Sequence, residues 1–239
     1  WLPFFYTLSL HKKFLSTILH IETSTKNCSV SIANCGELIS LKEINTGDYS
    51  HAEMLHPLIN KALQESKLTI KDIEAIAVGK GPGSYTGLRI GVSAAKGLCF
   101  ANDIPLISIN SLEILAQTMN IDSGLIIPMI DARRMEVYAA IYDKNYNSVR
   151  ETKAEIIDSQ SFLDELQNHT VYFLGDGAKK CEEIILHENA VFIENAFPSA
   201  KEMTTISFHK FKNKTTEDVA YFEPFYLKDF IATQEKKKI

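Results

Sequence analysis

Two stretches of this chain spell the same order of secondary-structure elements, and that repetition restricts the fold more than any single motif. In the first, "ILHIET", "CSVSIAN" and "GELISLKEI" are β-rich runs separated by the turns "STKN" and "NCG", the pattern of a three-strand meander. "HAEMLHPLINKALQES" then sets Met54, Leu55, Leu58, Ile59, Ala62 and Leu63 on one helical stripe. Pro57 is expected to kink that helix or mark a broken first turn. A strand "IEAIAV", a helix from about Ser84 to Ala101, a strand "IPLISI" and a helix capped by Asn110–Ser111 complete the half. The second half opens with "GLIIPMI" and "MEVYAAIYD", a hairpin around "DARR", and a weaker strand near residues 152–157. The helix "SFLDELQ", the strand "VYFLG", the helix "AKKCEEIILH", the strand "AVFIE" and a helix from about Ser199 to Lys212 follow. Both halves read βββαβαβα, which favours two similar α/β lobes over one continuous doubly wound sheet. No Pro- or Ser-rich linker separates them, so the junction near Ser108–Leu112 is short.

The 239 residues suffice for two lobes of about 100 residues each. A net charge of −5 argues against a protein that grips nucleic acid alone, because phosphate binding needs a concentrated basic field. Cys28, Cys35, Cys99 and Cys181 form no C-x-x-C pair and read as reduced thiols of a cytoplasmic protein. The opening "WLPFFYTLSLHKKFLS" is apolar, but Lys12–Lys13 follow the apolar run instead of preceding it. No run reaches the roughly 18 apolar residues of a membrane span. The expected division is an extension over residues 1–16, lobes over 17–110 and 111–231, and a frayed tail over 232–239.

The stretch "GKGPGSYTGLRIGVSAAKGL" packs six glycines into twenty residues between a strand and a helix. It is not a Walker A loop, since no register supplies G-x-x-x-x-G-K-[ST]. Gly81, Gly83 and Gly87 give G-x-G-x-x-x-G rather than the dinucleotide spacing. A looser anion site stays open at the helix N-terminus, where Ser84, Tyr85 and Thr86 would present free amides. Within the helix, Gly87, Gly91 and Ala95 recur every four residues, and an interior Gly costs about 1 kcal/mol against Ala. Something therefore packs very close there: a strand of the lobe's own sheet, or a helix of a partner chain.

No catalytic set emerges. His51 and His56 are five apart, about 140° around a helix, so they diverge where metal ligands would converge. Ser84 has no evident His or Asp companions for nucleophilic catalysis. Two lobes of this element order are the architecture of actin-like, sugar-kinase-like and Hsp70-like ATPases, an analogy that does not itself give function. Such ATPases place a glycine-rich turn between their first two strands. Here "IETSTKN" and its counterpart "IDARRM" both lack glycine, which argues against a working ATPase cleft. Asp131, Arg133 and Arg134 still give the second turn charge, enough to touch an anion or a partner's carboxylates.

The run "AVGKGPGSYTGLRIGVSAAKGLCFANDIPLISINSLEILA" closely resembles the TsaB (YeaZ) family. "ILHIETSTKNCSVSI", "HAEMLHPLI" and "IDARRMEVYAAIY" support it, and the C-terminal portion matches loosely through "FEPFYLKDF". The resemblance implies an α/β protein of two actin-like (RNase H-like, ASKHA) lobes. It implies a non-catalytic relative of TsaD, the enzyme that transfers threonylcarbamoyl to the adenosine beside the anticodon of tRNAs reading ANN codons. Such a subunit pairs with TsaD, is joined by the small ATPase TsaE, meets tRNA only through the complex and self-associates through the same helices. It binds no cofactor by itself, while the assembled interface admits ATP or ADP.

Carried onto this chain, the partner-facing helices are represented by Met54, Leu55, Leu58, Ile59 and Ala62, and by Gly87, Arg89, Ile90, Gly91, Ser93, Ala94 and Leu98. On this reading the helix glycines serve close packing against a partner, with phosphate binding second. The rival reading is an actin-like ATPase or phosphotransferase with an atypical cleft.

Overall fold

The computed structural model describes residues 16–45 and 51–228. The expected extension, Ser16 apart, and the tail 232–239 lie outside the described residues. The first half forms β1 (Thr17–Glu22), β2 (Cys28–Asn34), β3 (Glu37–Ile44), α1 (His51–Ser66), β4 (Ala75–Gly81), α2 (Tyr85–Asn102), β5 (Leu106–Asn110) and α3 (Ser111–Ala116). Its sheet runs β3-β2-β1-β4-β5. β2 is antiparallel to both neighbours, while β1, β4 and β5 are parallel. The second half forms β6 (Leu125–Asp131), β7 (Glu136–Asp143), β8 (Ser148–Ile156), α4 (Leu163–Asn168), β9 (Val171–Leu174), β10 (Ala190–Ile193) and α5 (Thr204–Lys212). Its sheet, β10-β9-β6-β7-β8, has the same order and strand directions when read from the other edge. The doubled pattern in the sequence therefore becomes two actin-like sheets.

Helices on both faces bury β1, β2, β4 and β5 of the first sheet almost completely, whereas β3 at its edge stays largely open. On one side Leu19, Ile21, Val30, Ile32, Ile76 and Val78 meet α1 and α2. On the other, Ile18, Ala75, Ala77, Ile107 and Ile109 meet Ile114 of α3 and Met203, Ile206 and Phe211 in and beside α5. Strand alternation sends neighbouring residues to opposite faces, so His20, Ser29 and Ser31 point the second way and are fully buried. Their polar groups are met by α5 and the segment before it. His20 Nε2 lies 2.7 Å from Ser207 Oγ, and its Nδ1 lies 3.0 Å from Ser31 Oγ. Burial pushes the His20 imidazole down to about 4, so it is neutral at physiological pH.

The same seam moves the start of α5. Helix was expected from Ser199, but it begins at Thr204. The backbone just upstream serves β2: Ala200 N–H donates to Ser29 Oγ, Ala200 C=O accepts from Ser31 Oγ, and Pro198 C=O accepts from Asn27 Nδ2. A second correction concerns "AKKCEEIILH", expected as a helix. Only a 3₁₀ turn forms there, Lys179–Cys181, because backbone bonds close mainly over three residues, as in Cys181 N–H to Ala178 C=O and Ile184 N–H to Cys181 C=O. The β-branched pair Ile184–Ile185 adds little helical preference of its own. Pro57 does not break α1, which runs unbroken through it. Pro57 and Glu53, whose carbonyl it cannot serve, both lie on the exposed side.

Candidate partner-binding face

The turn between β1 and β2 organises the glycine-rich stretch. Ser84 N–H donates to Ser24 C=O at 2.7 Å, and Ser84 caps α2 by accepting from Gly87 N–H. A Cβ on Gly87 would meet Thr23 C=O at 2.1 Å, and one on Gly91 would meet Thr23 Oγ1 at 2.2 Å. Upstream, Gly79 and Gly83 press equally close on Glu22 and Ser24. The glycines at four-residue spacing thus receive the chain's own turn. This corrects the reading of Gly87 and Gly91 as partner-facing: both are buried within the lobe.

Glu22 sits at the base of that turn, fully buried, accepting from Ser24 N–H at 2.6 Å and facing Ser111 Oγ at 3.5 Å. Burial raises its pKa, against the opposing pull of the Ser24 bonds. Thr25 C=O lies 2.7 Å from His51 Nε2. His51 is buried at the start of α1 whereas His56 is exposed, so the two histidines point apart. Among the described residues no three His, Cys, Asp or Glu side chains group as metal ligands.

The apolar stripe of α1 also faces inward. Leu55, Leu58, Ile59 and Ala62 are buried in the first lobe's core, so they are corrected from partner contacts to core residues. What remains outward is a half-buried strip over that core, made by Met54 of α1 and by Ile90, Ala94 and Leu98 at every fourth position of α2. Arg89 and Ser93 beside it are exposed. A shallow hollow of about 420 Å³ lies at its edge, lined by Tyr85, Thr86, Arg89, Ile90 and Ser93. The Arg89 guanidinium lies 5.4 Å from the Tyr85 ring centroid and donates to Tyr85 Oη at 3.2 Å. An apolar strip with a polar, partly aromatic rim is the surface composition of an interface core and its edge.

Sequence reasoning missed a strap that frames this face. Residues 217–228 return from the second half and cross the first lobe: Glu217 N–H donates to Leu106 C=O and Phe225 N–H to Lys80 C=O. Lys96 donates to Ala220 and Phe222 carbonyls, Phe222 enters the core, and the Tyr226 ring lies 5.0 Å from that of Tyr85. The aromatic residues of "FEPFYLKDF" were the available signal. Of the candidate anion contacts, the Ser84 amide is already used within the chain, and Tyr85 and Thr86 border the hollow. Arg133 and Arg134 are exposed on the β6–β7 hairpin in the second half. There Lys180 Nζ ties Asp131 to the Arg134 and Glu136 carbonyls. No described contact joins either arginine to the start of α2.

Comparison with known proteins agrees with this architecture. The family model for TsaD, tRNA N6-adenosine threonylcarbamoyltransferase, matches residues 48–236. The TsaB protein of Escherichia coli is 31% identical over 230 residues, 90% of this chain and 96% of that protein. The Bacillus subtilis TsaB is 33% identical over 93% of this chain and 98% of its own length. The Haemophilus influenzae TsaB is 30% identical over 89% and 94% respectively. Two Pseudomonas aeruginosa structures superpose at 25% identity. One is YeaZ, with a TM-score of 0.75 over 89% of this chain and all of that one. The other is a protein with similarity to the peptidase YeaZ, with a TM-score of 0.80 over 90% of this chain and all of that one. With nearly full-length relatives that share one name and structures that match across both sheets, the chain belongs to the TsaB family of tRNA threonylcarbamoyladenosine biosynthesis proteins.

Proposed function

We propose that this chain is a non-catalytic subunit of the assembly that forms N6-threonylcarbamoyladenosine beside the anticodon of tRNAs reading ANN codons. It docks a TsaD-like transferase on the outward strip of α1 and α2, a TsaE-like ATPase joins, and tRNA is met through the complex. The observation that carries this reading is the strip itself: Met54, Ile90, Ala94 and Leu98 remain half-exposed above a core that α1 and α2 have otherwise closed. The same strip serves self-association, so a second copy and the transferase compete for it.

Catalysis by this chain alone has less support. The Ser24 amide in the β1–β2 turn is turned on the chain's own Glu22, and Lys180 fills the base of the β6–β7 hairpin. A nucleotide, where one binds, belongs to the assembled interface at the Tyr85–Arg89 hollow. The test is co-purification of the TsaD-like subunit with Ser93→Arg and Ala94→Glu variants, whose sites face outward. Lost complex with an unchanged melting curve supports the reading; full complex formation by both folded variants overturns it. Calorimetry of the isolated chain with Mg-ATP addresses the rival enzyme, since saturable micromolar binding would favour an ATPase or phosphotransferase.

A further inference from the structure

The turn that joins β6 to β7 carries two arginines in a backbone conformation that does not favour them. Arg133 has a φ of 68° and Arg134 one of 55°, both in the left-handed region where glycine or asparagine sits with least strain. The backbone of the turn is spent inside the hairpin: Arg133 N–H donates to Asp131 Oδ1 at 3.0 Å, and Arg134 C=O accepts from Lys180 Nζ at 2.7 Å. The two side chains take no part in this. Both are exposed, and among the described residues neither guanidinium has a hydrogen bond or an ion pair. Strain held in a turn that displays two unpaired cations points to a ligand that needs them.

The neighbouring acids leave these charges uncancelled. Lys180 pairs with Asp131, and Lys228 at the end of the strap pairs with Glu136. Asp176, the third carboxylate there, is half-buried and accepts from Asp131 N–H at 2.9 Å. Lys26, exposed on the β1–β2 turn, adds a further cation close enough to act on Asp176. Aromatic rings border the group. Burial raises the Tyr138 pKa, and Lys228 and Arg133 both lie near enough to its hydroxyl to oppose that rise. Two residues before Lys228, the Tyr226 ring is 39% exposed and lies 5.0 Å from that of Tyr85, at the rim of the strip on α2. Rings and cations thus form a row from the edge of that strip to the β6–β7 turn.

We infer, on the basis of the function proposed above, that this row is a direct contact for the tRNA backbone, with Arg133 and Arg134 on its phosphates. A phosphodiester chain presents an acceptor pair at every step, which suits the forked donors of two adjacent guanidinia. Tyr226 beside them gives an unstacked base a ring to lie on. A protein surface would instead have to set a carboxylate singly against each cation. Arg133, Arg134 and Lys26 are too few to hold RNA against a net charge of −5, so the contact operates where a docked transferase supplies the remaining field.

The test uses the purified complex of this chain with the TsaD-like subunit, and an unmodified tRNA transcript that reads an ANN codon. Asparagine suits the left-handed backbone, so the double variant Arg133→Asn, Arg134→Asn should form the complex as before with a melting curve no lower than the parent's. Its tRNA affinity should fall roughly tenfold or more at low salt, and the slope of log affinity against log salt should become shallower by about 1.5. The double variant Arg133→Lys, Arg134→Lys should keep most of that slope. Unchanged affinity and slope in a normally formed complex overturn this contact alone. Loss of the complex in the asparagine variant assigns the arginines to carboxylates of the transferase and overturns it as well. No complex with the unaltered chain overturns both the contact and the function on which it rests.

Discussion

Thr23 donates its hydroxyl proton to the Gly87 carbonyl at 2.8 Å, joining the β1–β2 turn to α2 across 64 residues of sequence. The same residue would obstruct a methyl group at either helix glycine, by its carbonyl at Gly87 and by its hydroxyl at Gly91. Ala in place of an interior helical Gly gains up to about 1 kcal/mol of propensity, but overpacking of this kind costs about 1–3 kcal/mol or more. Gly87→Ala and Gly91→Ala should therefore both lower stability to urea. Thr23→Ala should recover part of the Gly91→Ala loss and none of the Gly87→Ala loss, because the obstacle at Gly87 is backbone. Additive double-mutant cycles at both sites would contradict this packing.

Acidification should weaken the fold through His20. Its folded pKa of about 4 lies below the ordinary 6.5, so the unfolded chain binds the extra proton between those values. Stability from this group is full above pH 6.5 and falls as pH drops through that window, by about 3 kcal/mol in all and about 2 kcal/mol by pH 5. Urea unfolding at pH 7.5 and pH 5 measures it, and His20→Asn should show a smaller difference between the two.

Glu22 acts in the opposite direction. Burial raises its folded pKa, so its contribution is present below the unfolded carboxylate value and is lost as pH rises through the folded one. Glu22→Gln has no such loss. Its stability relative to the parent should therefore improve steadily from acid to neutral pH, as read in the same unfolding series. A constant difference would mean that Glu22 titrates alike in the folded and unfolded chain.

The strap should be part of the first lobe's stability. Phe222 is 9% exposed and packs into the core beneath α2. Phe222→Ala should cost about 3 kcal/mol or more, visible as a lower urea midpoint. Lys96→Met, which keeps the stem and removes the donor to the Ala220 and Phe222 carbonyls, should cost about 1 kcal/mol.

What was legible in the sequence was local. Alternation and turn residues gave the three-strand openings, and Asn110 announced the cap that the structure shows at α3. Amphipathic spacing locates the apolar side of α1 but not what that side meets, and in the structure Leu55, Leu58, Ile59 and Ala62 meet the core. The helix glycines posed the same ambiguity, since close approach is readable from spacing and the approaching group is not. Thr23 stands on a different element, and no local pattern links it to Gly91. The strap escaped for the same reason: Lys96 and Phe222 meet across 126 residues of chain.

The helices that close each half reach across to the other half's sheet. α3, made by the first half, sets Leu112, Leu115 and Ala116 against the second sheet, while α5, made by the second half, covers the back of the first. A chain severed between β5 and β6 would thus leave one fragment without the lid of its own sheet, and the other holding a helix meant for its neighbour. The doubled pattern of strands is thus tied together by helices that each half lends to the other's sheet.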